Sequence, residues 1–525
     1  MPDQQVGAKP RRTSAETIRA RWRAAFAGLA AVSAGLGVAE VLAVILSPTS
    51  SPLFSAGSLV IDLAPSWLKE SVIAVFGTAD KPVIIASVAL LVAALAALAG
   101  LVERAKPPWG RVIVAAVGGL GLVAAMTRAG SSLVSAIPSI AAILVGVWVL
   151  AVLIRRSVAV DSSVGARSQG ASRRTFLVNA GLAAGLGILA TVGGRIVATG
   201  IQAVDSARRM FTLPRPAVAA APIPSGASLD VPGIAPLVTG NSDFYRIDTA
   251  LIVPSIDPAT WSLRITGLVD NEVTLTFDEL LALPLEESYT TLACVSNYVG
   301  GGLIGNALWL GYPIRHLLER AGPKSGADMV LSRSADGFTA GTPLTALTDD
   351  RNAILAVAMN GTPLPAEHGF PVRMVVPGLY GYVSATKWVT ELKVTTFTAD
   401  AAYWTHRGWS ARGPVKLSSR IDTPRQSGTV SAGTVVVAGV AWSQHVGISR
   451  VQVRVDDDPW SDAELADALS ADTWRQWLYR WDARQGRHTL TVRATDANGM
   501  VQTAVQTDVV PDGATGLHSI DVTVA

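Results

Sequence analysis

The chain has 525 residues, 50% of them hydrophobic and 16% charged, with a formal net charge of +3 and a mean hydropathy of +0.38. So small a charge, with no basic stretch interleaved with aromatics, excludes recognition of nucleic acid through a cationic surface. A single cysteine excludes an intrachain disulfide. The apolar excess falls almost wholly before about residue 205, so the composition describes a membrane part followed by enough chain for separate soluble domains.

Residues 1–23 are polar and basic, with Arg11, Arg12, Arg19, Arg21 and Arg23, and read as a cytoplasmic N-terminus. Residues 24–154 form a membrane anchor with four apolar runs, Ala24–Leu46, Val83–Val102, Val112–Ala125 and Leu133–Ile154. Arg104, Lys106 and Arg111 lie between the second and third runs and Arg155, Arg156 and Arg167 after the fourth, which places these loops inside. The outer loop Asp62–Lys81, with Trp67, suits a short interfacial helix. Glu40 lies near the outer end of the first run, where snorkelling to the interface is expected.

Residues 155–205 comprise a cytoplasmic loop and a fifth run, Phe176 to Ile201, introduced by Ser172-Arg173-Arg174-Thr175-Phe176-Leu177. The last pattern reads as a twin-arginine export signal placed internally, or as ordinary inside charge before a helix. Either way an odd number of spans leaves everything after residue 205 on the extracytoplasmic side of the cell membrane. All six histidines, starting with His316, follow the spans, which excludes a bis-histidine haem within them. Residues 206–240, rich in Pro, Ala and Gly, read as an extended linker.

From residue 241 to 413 short β-branched runs alternate with short helical ones, the pattern of an α+β domain: Trp261–Thr266 reads as a strand, and Phe277–Leu283, capped by Thr276, as a helix. Cys294 ends the apolar run before polar Ser296 and Asn297 and the glycines 300, 301 and 302. An isolated cysteine is often only a small buried hydrophobe. A thiol at a strand end, opening into a glycine-rich loop, is also placed to meet a bulky ligand, as a soft anionic metal ligand or a nucleophile.

Cys294-x-x-Asn297, the glycines, Trp309, Gly311 and PIRHLLERAG resemble the molybdenum-ligand segment of the sulfite oxidase family. Met359–Trp388, MNGTPLPAEHGFPVRMVVPGLYGYVSATKW, and Phe244–Gly267, FYRIDTALIVPSIDPATWSLRITG, fit the same family in the same order. The resemblance covers roughly residues 241–525. It implies a molybdenum-molybdopterin cofactor, with Cys294 as the metal ligand and Arg246 beside it in catalysis. It further implies pterin contacts from Tyr245, Arg246, Asn297, Ser334, His368, Arg373, Ser384 and Lys387, residue types that donate to a phosphate-bearing pterin.

Departures bear on the substrate. Sulfite-oxidising relatives place arginine directly after the Cys-x-x-Asn segment, where this chain has Tyr298 and Val299, and Asp248 stands where a histidine is expected. The less cationic pocket points to oxygen-atom transfer on a small sulfoxide or N-oxide. Two other classes compete: a hydrolase with Cys294 as nucleophile and His368 as base, and a non-catalytic cell-surface binding protein.

Residues 414–525 carry regularly spaced β runs, Thr429–Val440, Ile448–Asp456, His488–Asp496 and Val501–Val510, the pattern of an all-β immunoglobulin-like sandwich without a disulfide. Trp442, Trp460, Trp474, Trp477 and Trp481 supply area for its core. The resemblance implies that this domain pairs two subunits into a homodimer. With no haem ligands in the spans, electrons must pass to or from a separate cytochrome or quinone-linked protein, while membrane lipid surrounds the anchor.

Overall fold

A computed structural model of the chain describes residues 14–46, 50–64, 80–128, 131–162, 178, 181, 185, 208, 211–251 and 253–525. The chain divides into two compact units, Met1–Gly200 with Thr249–Ile252, and Ile201–Asp248 with Val253–Ala525. The twin-arginine-like motif lies outside the described residues, as do most of the fifth run and residues 65–79 of the outer loop.

The first unit contains α1 (Ser14–Leu46), α2 (Pro52–Leu63), α3 (Asp80–Ala105), α4 (Trp109–Met126) and α5 (Ile137–Ser162). Among the described residues four helices are long and apolar enough to cross a membrane, at residues 17–46, 83–105, 109–126 and 133–158, which places one on each of the first four apolar runs. Small residues let α1 and α3 cross closely: a Cβ at Gly28 would strike Ala96 O, and one at Gly100 would strike Ala24 O. Glu40 does not snorkel. It is buried and accepts from Ser51 Oγ at 2.6 Å, because α2, begun by Ser51 as its cap, folds back to offer the carboxylate a donor. Glu103, also buried, accepts from the Arg111 backbone N–H at 3.0 Å and from Arg111 Nε at 2.8 Å.

The second unit holds an α+β part and a β-sandwich. One sheet of the α+β part has the order β2-β1-β10-β5-β6, built from β1 (Ser262–Gly267), β2 (Val273–Thr276), β5 (Met329–Ser334), β6 (Thr339–Pro343) and β10 (Val389–Thr395). Only β1 and β10 run parallel in it. The other sheet has the order β3-β4-β7-β8 with β9 also on β7, from β3 (Glu286–Ala293), β4 (Ile304–Pro313), β7 (Ile354–Met359), β8 (Thr362–Pro363) and β9 (Arg373–Val375). Helix α6 (Phe277–Leu281) starts at Thr276 as expected, with Thr276 and Glu279 capping each other's backbone N–H. Helix α7 (Ile314–Ala321) buries Ile314, Leu317 and Leu318 and ends at Gly322, whose φ of +66 stops it. Helix α8 (Leu344–Thr348) follows β6, and α9 (Gly381–Ser384) precedes β10.

In the C-terminal part, the sheet β11-β13-β17-β16 faces the sheet β12-β19-β18-β14-β15. These are β11 (Ser418–Thr423), β12 (Gly428–Val430), β13 (Gly433–Trp442), β14 (Ile448–Val455), β15 (Ser461–Asp462), β16 (Glu464–Leu465), β17 (Arg475–Ala483), β18 (Gly486–Asp496) and β19 (His518–Val524). Val501–Val510 is not a strand. Most of its side chains point to solvent, and it makes only isolated bridges at Val501 and Thr507. The tryptophans also divide. Trp477 and Trp481 lie in the sandwich core. Trp442 and Trp474 enter the α+β core with Val440 and Val509, so the two parts share apolar interior. Trp460 lies outside, with Arg493 and Arg454 over its ring at 4.2 and 5.0 Å.

Residues 211–240 run extended, but they are packed rather than hanging as a linker. Phe211 meets Phe277 at 5.3 Å, and Val218 bridges Glu286. Further along, Leu237 is buried, and its carbonyl accepts from Trp474 Nε1 at 2.9 Å. Gln476 accepts from the Leu229 N–H and donates to Ala235 O, both at 2.7 Å. Alanine and proline suit such a strap because they lie flat and cost little side-chain entropy.

Candidate functional site

Strand β3 ends at Ala293, and Cys294 is the first residue of the loop beyond it. Its N–H donates to Leu303 O at 2.9 Å, and its carbonyl accepts from the Asn297 N–H at 3.1 Å, which turns the chain. The thiol is 9% exposed. Burial pushes it above its ordinary range, while hydrogen bonds from the Ser296 N–H and hydroxyl and the Val295 N–H, with the charge on Lys387, act the other way. Those donors favour an anionic sulfur once burial is compensated by a cation or a metal.

An aromatic wall lies nearby. Phe244 stacks on Tyr245 at 5.2 Å and meets Trp309 edge-on at 5.7 Å and His368 at 5.6 Å. Gly305 leaves room for it, since a Cβ there would come within 2.8 Å of the Phe244 ring. Tyr245 is raised above its usual range by burial and then by the charge of Cys294, with Arg373 opposing. Burial also pushes Tyr380 up to about 12, with Cys294 a lesser contributor. Tyr380 and Ser296 are further neighbours of the sulfur beyond the expected site residues, signalled in the sequence only by the adjacency of Ser296 to Cys294 and by the place of Tyr380 in the segment Met359–Trp388.

Arg373, on β9, is 5% exposed. Its Nη1 donates to His368 O at 3.0 Å and its Nε to Met374 O at 3.3 Å, and the guanidinium lies 5.0 Å from the Trp309 ring. Among the described residues no carboxylate pairs with it. Burial pushes it down to about 10. An interior guanidinium held only by carbonyls and a ring face is a prepared anion site.

His368 Nε2 donates to Asn241 O at 3.0 Å, which makes Nε2 the protonated nitrogen. Burial, followed by the charges of Arg373 and Lys387, lowers it to about 3. With Nε2 spent on the Asn241 carbonyl and burial opposing its protonation, His368 is poorly suited to act as the base of a thiol hydrolase.

Lys387 donates to Glu367 O at 3.0 Å and to Asp248 Oδ2 at 2.6 Å, and Arg246 Nε donates to the same Oδ2 at 3.1 Å. One carboxylate, 6% exposed, therefore joins two of the expected cofactor-contacting cations. Gly369, at φ +114, allows the Lys387 backbone to approach, and Trp388 is anchored by its Nε1 to Ala366 O at 2.9 Å.

Three expected residues are engaged elsewhere. Asn297 Oδ1 accepts from the Leu303 N–H at 2.8 Å and closes the glycine loop. Ser384 Oγ donates to Tyr380 O at 2.9 Å within α9. Ser334 Oγ accepts from the Asp336 N–H at 3.4 Å, in the turn between β5 and β6. Tyr245, Arg246, His368, Arg373 and Lys387 share an electrostatic neighbourhood with Cys294. For Asn297, Ser334 and Ser384 the visible bonds are to backbone.

Residues 250–404 match the oxidoreductase molybdopterin-binding domain family, and residues 418–492 match the bacterial Ig domain family. The mitochondrial sulfite oxidase of Rattus norvegicus is 29% identical over 319 residues, which cover 50% of this chain and 57% of that protein. The chain thus spans little more than half the length of that relative. The oxidoreductase YuiH of Bacillus subtilis (strain 168) is 35% identical over 177 residues, which cover 34% of this chain and 81% of that protein. The chain belongs to the sulfite oxidase family of molybdopterin-dependent oxidoreductases. Among solved structures, the sulfane dehydrogenase SoxCD from Paracoccus pantotrophus matches with a TM-score of 0.49 and 24% identity, covering 55% of this chain and 82% of that one. The matched region is an oxidoreductase molybdopterin-binding domain, and the cofactor of that family is molybdenum-molybdopterin. The residues fit that group: a buried thiol surrounded by donors, and a buried guanidinium without a carboxylate, are a soft ligand and an anion holder in one neighbourhood.

Proposed function

We infer that this protein transfers an oxygen atom from a small sulfoxide or N-oxide, at a molybdenum centre held by Cys294 on the extracytoplasmic side of the membrane. The relatives named as sulfite oxidases act on a small dianion, which an excess of cationic donors would recognise. The observation that carries the different reading here is Asp248, whose carboxylate is shared by Arg246 and Lys387. Two cations that would attract a dianion are part-neutralised, and Tyr298 and Val299 add no charge.

When bound, the molybdenum centre supplies a two-electron couple and a place for the transferred oxygen. Cys294 would hold the metal through sulfur, its anionic form stabilised by the Ser296 and Val295 N–H groups. Arg373 would meet pterin or phosphate charge, neutral His368 would add a ring nitrogen without adding charge, and Tyr245 would close the wall. Lys387 and Arg246 orient polar groups at the rim. The net change is oxide plus two electrons and two protons giving the reduced substrate and water. Electrons come from a separate cytochrome or quinone-linked protein, five spans anchor the protein in lipid, and the sandwich pairs two subunits.

Dye-linked turnover tests this. Reduced viologen with methionine sulfoxide or trimethylamine N-oxide is expected to turn over, and sulfite with a ferricyanide acceptor to do so far more slowly. Efficient sulfite oxidation without oxide reduction would overturn the substrate class.

A further inference from the structure

The glycine loop after Cys294 is held from the C-terminal sandwich. Arg420, on β11, donates from Nη1 to Gly301 O at 2.8 Å, while its Nε is fixed on Asp422 Oδ1 at 2.6 Å. This pair is well shielded, its side chains 12% and 9% exposed, and Asp422 Oδ2 also accepts from the Ala235 N–H of the strap at 2.9 Å. Between them, the Ile421 N–H donates to Nδ1 of His518, the first residue of β19, at 3.0 Å. That bond leaves the proton on Nε2 and sets the imidazole against Gly300, where φ is +77 and a Cβ would collide with the ring. From within, Leu303 is tied to Cys294 and Asn297, and the Gly301 N–H donates to Tyr298 O at 2.8 Å.

The loop so pinned carries Tyr298, 44% exposed, and Val299. We propose that Arg420 and His518 are positioning residues for the substrate mouth: they hold residues 298–302 beside Cys294, so the sandwich governs access to the sulfur and the placing of Tyr298. A shielded guanidinium that spends one arm on a neutral carbonyl is stable only while both partners stay in place. Removing it frees Gly301 O and leaves Asp422 without its cation, and the loop loses its outer tether.

Cys294 is the chain's one cysteine, so a thiol reagent such as DTNB reads this loop alone. The full-length chain, made in cells that cannot synthesise pterin and kept in detergent, is the material. Arg420→Met should raise the DTNB rate by about tenfold or more, the loss of a charge-assisted hydrogen bond. Arg420→Lys should fall between, because an ammonium reaches Gly301 O but cannot also grip Asp422 in a fixed fork. Gly300→Ala, which forces the loop off His518 while leaving Arg420 intact, should act in the same direction and carries the test if Arg420→Met does not fold. In the loaded enzyme, with dimethyl sulfoxide and a viologen donor, Arg420→Met should raise KM more than it lowers kcat. Thiol rates indistinguishable from wild type in Arg420→Met and Gly300→Ala overturn the proposal. So does an equal rise in Trp477→Ala, a sandwich-core change, since that would mean general loosening. The thiol arm needs neither cofactor nor turnover, so a failure of the substrate reading leaves it intact.

Discussion

Replacing Arg373 by methionine separates a ligand-holding cation from a structural one. Burial pushes the guanidinium down to about 10, which at about 1.4 kcal/mol per unit sets roughly 3 kcal/mol against its charged form. Methionine removes that cost and keeps the apolar stem. It also takes charged donors from Met374 O, at a long 3.3 Å, and from His368 O, at about 1.5 kcal/mol each at the low end for a charged donor, and the cation from the Trp309 face, at about 0.5–1 kcal/mol. The opposing contributions nearly cancel, so the cofactor-free chain is expected to stay within about 1 kcal/mol of wild type. A buried arginine that completes a structural ion pair would instead cost about 3–5 kcal/mol. The assay is denaturant unfolding of the cofactor-free chain in detergent, with molybdenum per chain measured after expression with active cofactor synthesis. Near-equal stability with most of the metal lost is the expected pair of results. A loss of several kcal/mol with wild-type metal content would refute the assignment of Arg373 as an anion holder.

Two further substitutions follow from the same geometry. Asp248→Asn leaves Arg246 and Lys387 in place but removes the negative charge they share, so the affinity for sulfate, measured calorimetrically as an inert dianion, should rise by about tenfold or more, with sulfite oxidation rising too. Unchanged sulfate affinity would take Asp248 out of substrate choice. His368 is held neutral in the fold, its conjugate acid lowered to about 3 from an ordinary histidine range near 6.5. The unfolded chain therefore binds more protons between those values, and stability, full above about pH 6.5, falls as pH drops toward 3. Between pH 7 and 4.5 the cofactor-free wild type should lose roughly 2 kcal/mol more than His368→Gln. Parallel unfolding curves for the two would show that His368 is protonated in the fold.

Much of this site is legible in local sequence, because its parts are set by neighbours along the chain. A β-branched run ending at Cys294, then Ser296, Asn297 and glycines, specifies a strand end and a turn. Thr276 and Glu279 specify a capping box. What is not legible depends on residues that meet only in the fold. Asp248 stands out in the sequence as a departure, but its pairing with Lys387, 139 positions away, arises from tertiary packing. Trp442 and Trp474 look like sandwich core by position, yet they face the α+β part, because strand alternation alone does not say which neighbour covers a face. Val501–Val510 has strand composition, but no partner strand pairs along it. Pro and Ala content between 206 and 240 reads as an unattached linker, although the same residues suit a chain lying flat on a surface, as 211–240 does. For Arg420 and His518 the sequence holds no signal, since each matters only through the loop beside Gly300 and Gly301.

The attachment of molybdenum to Cys294 is tested most directly by X-ray absorption at the molybdenum edge, on wild type and Cys294→Ser prepared with active cofactor synthesis. Wild type should carry metal with a sulfur shell that includes the cysteine, and any metal kept by the variant should show one sulfur fewer. An identical sulfur shell in both proteins, or a wild type that takes up no molybdenum, would contradict the account.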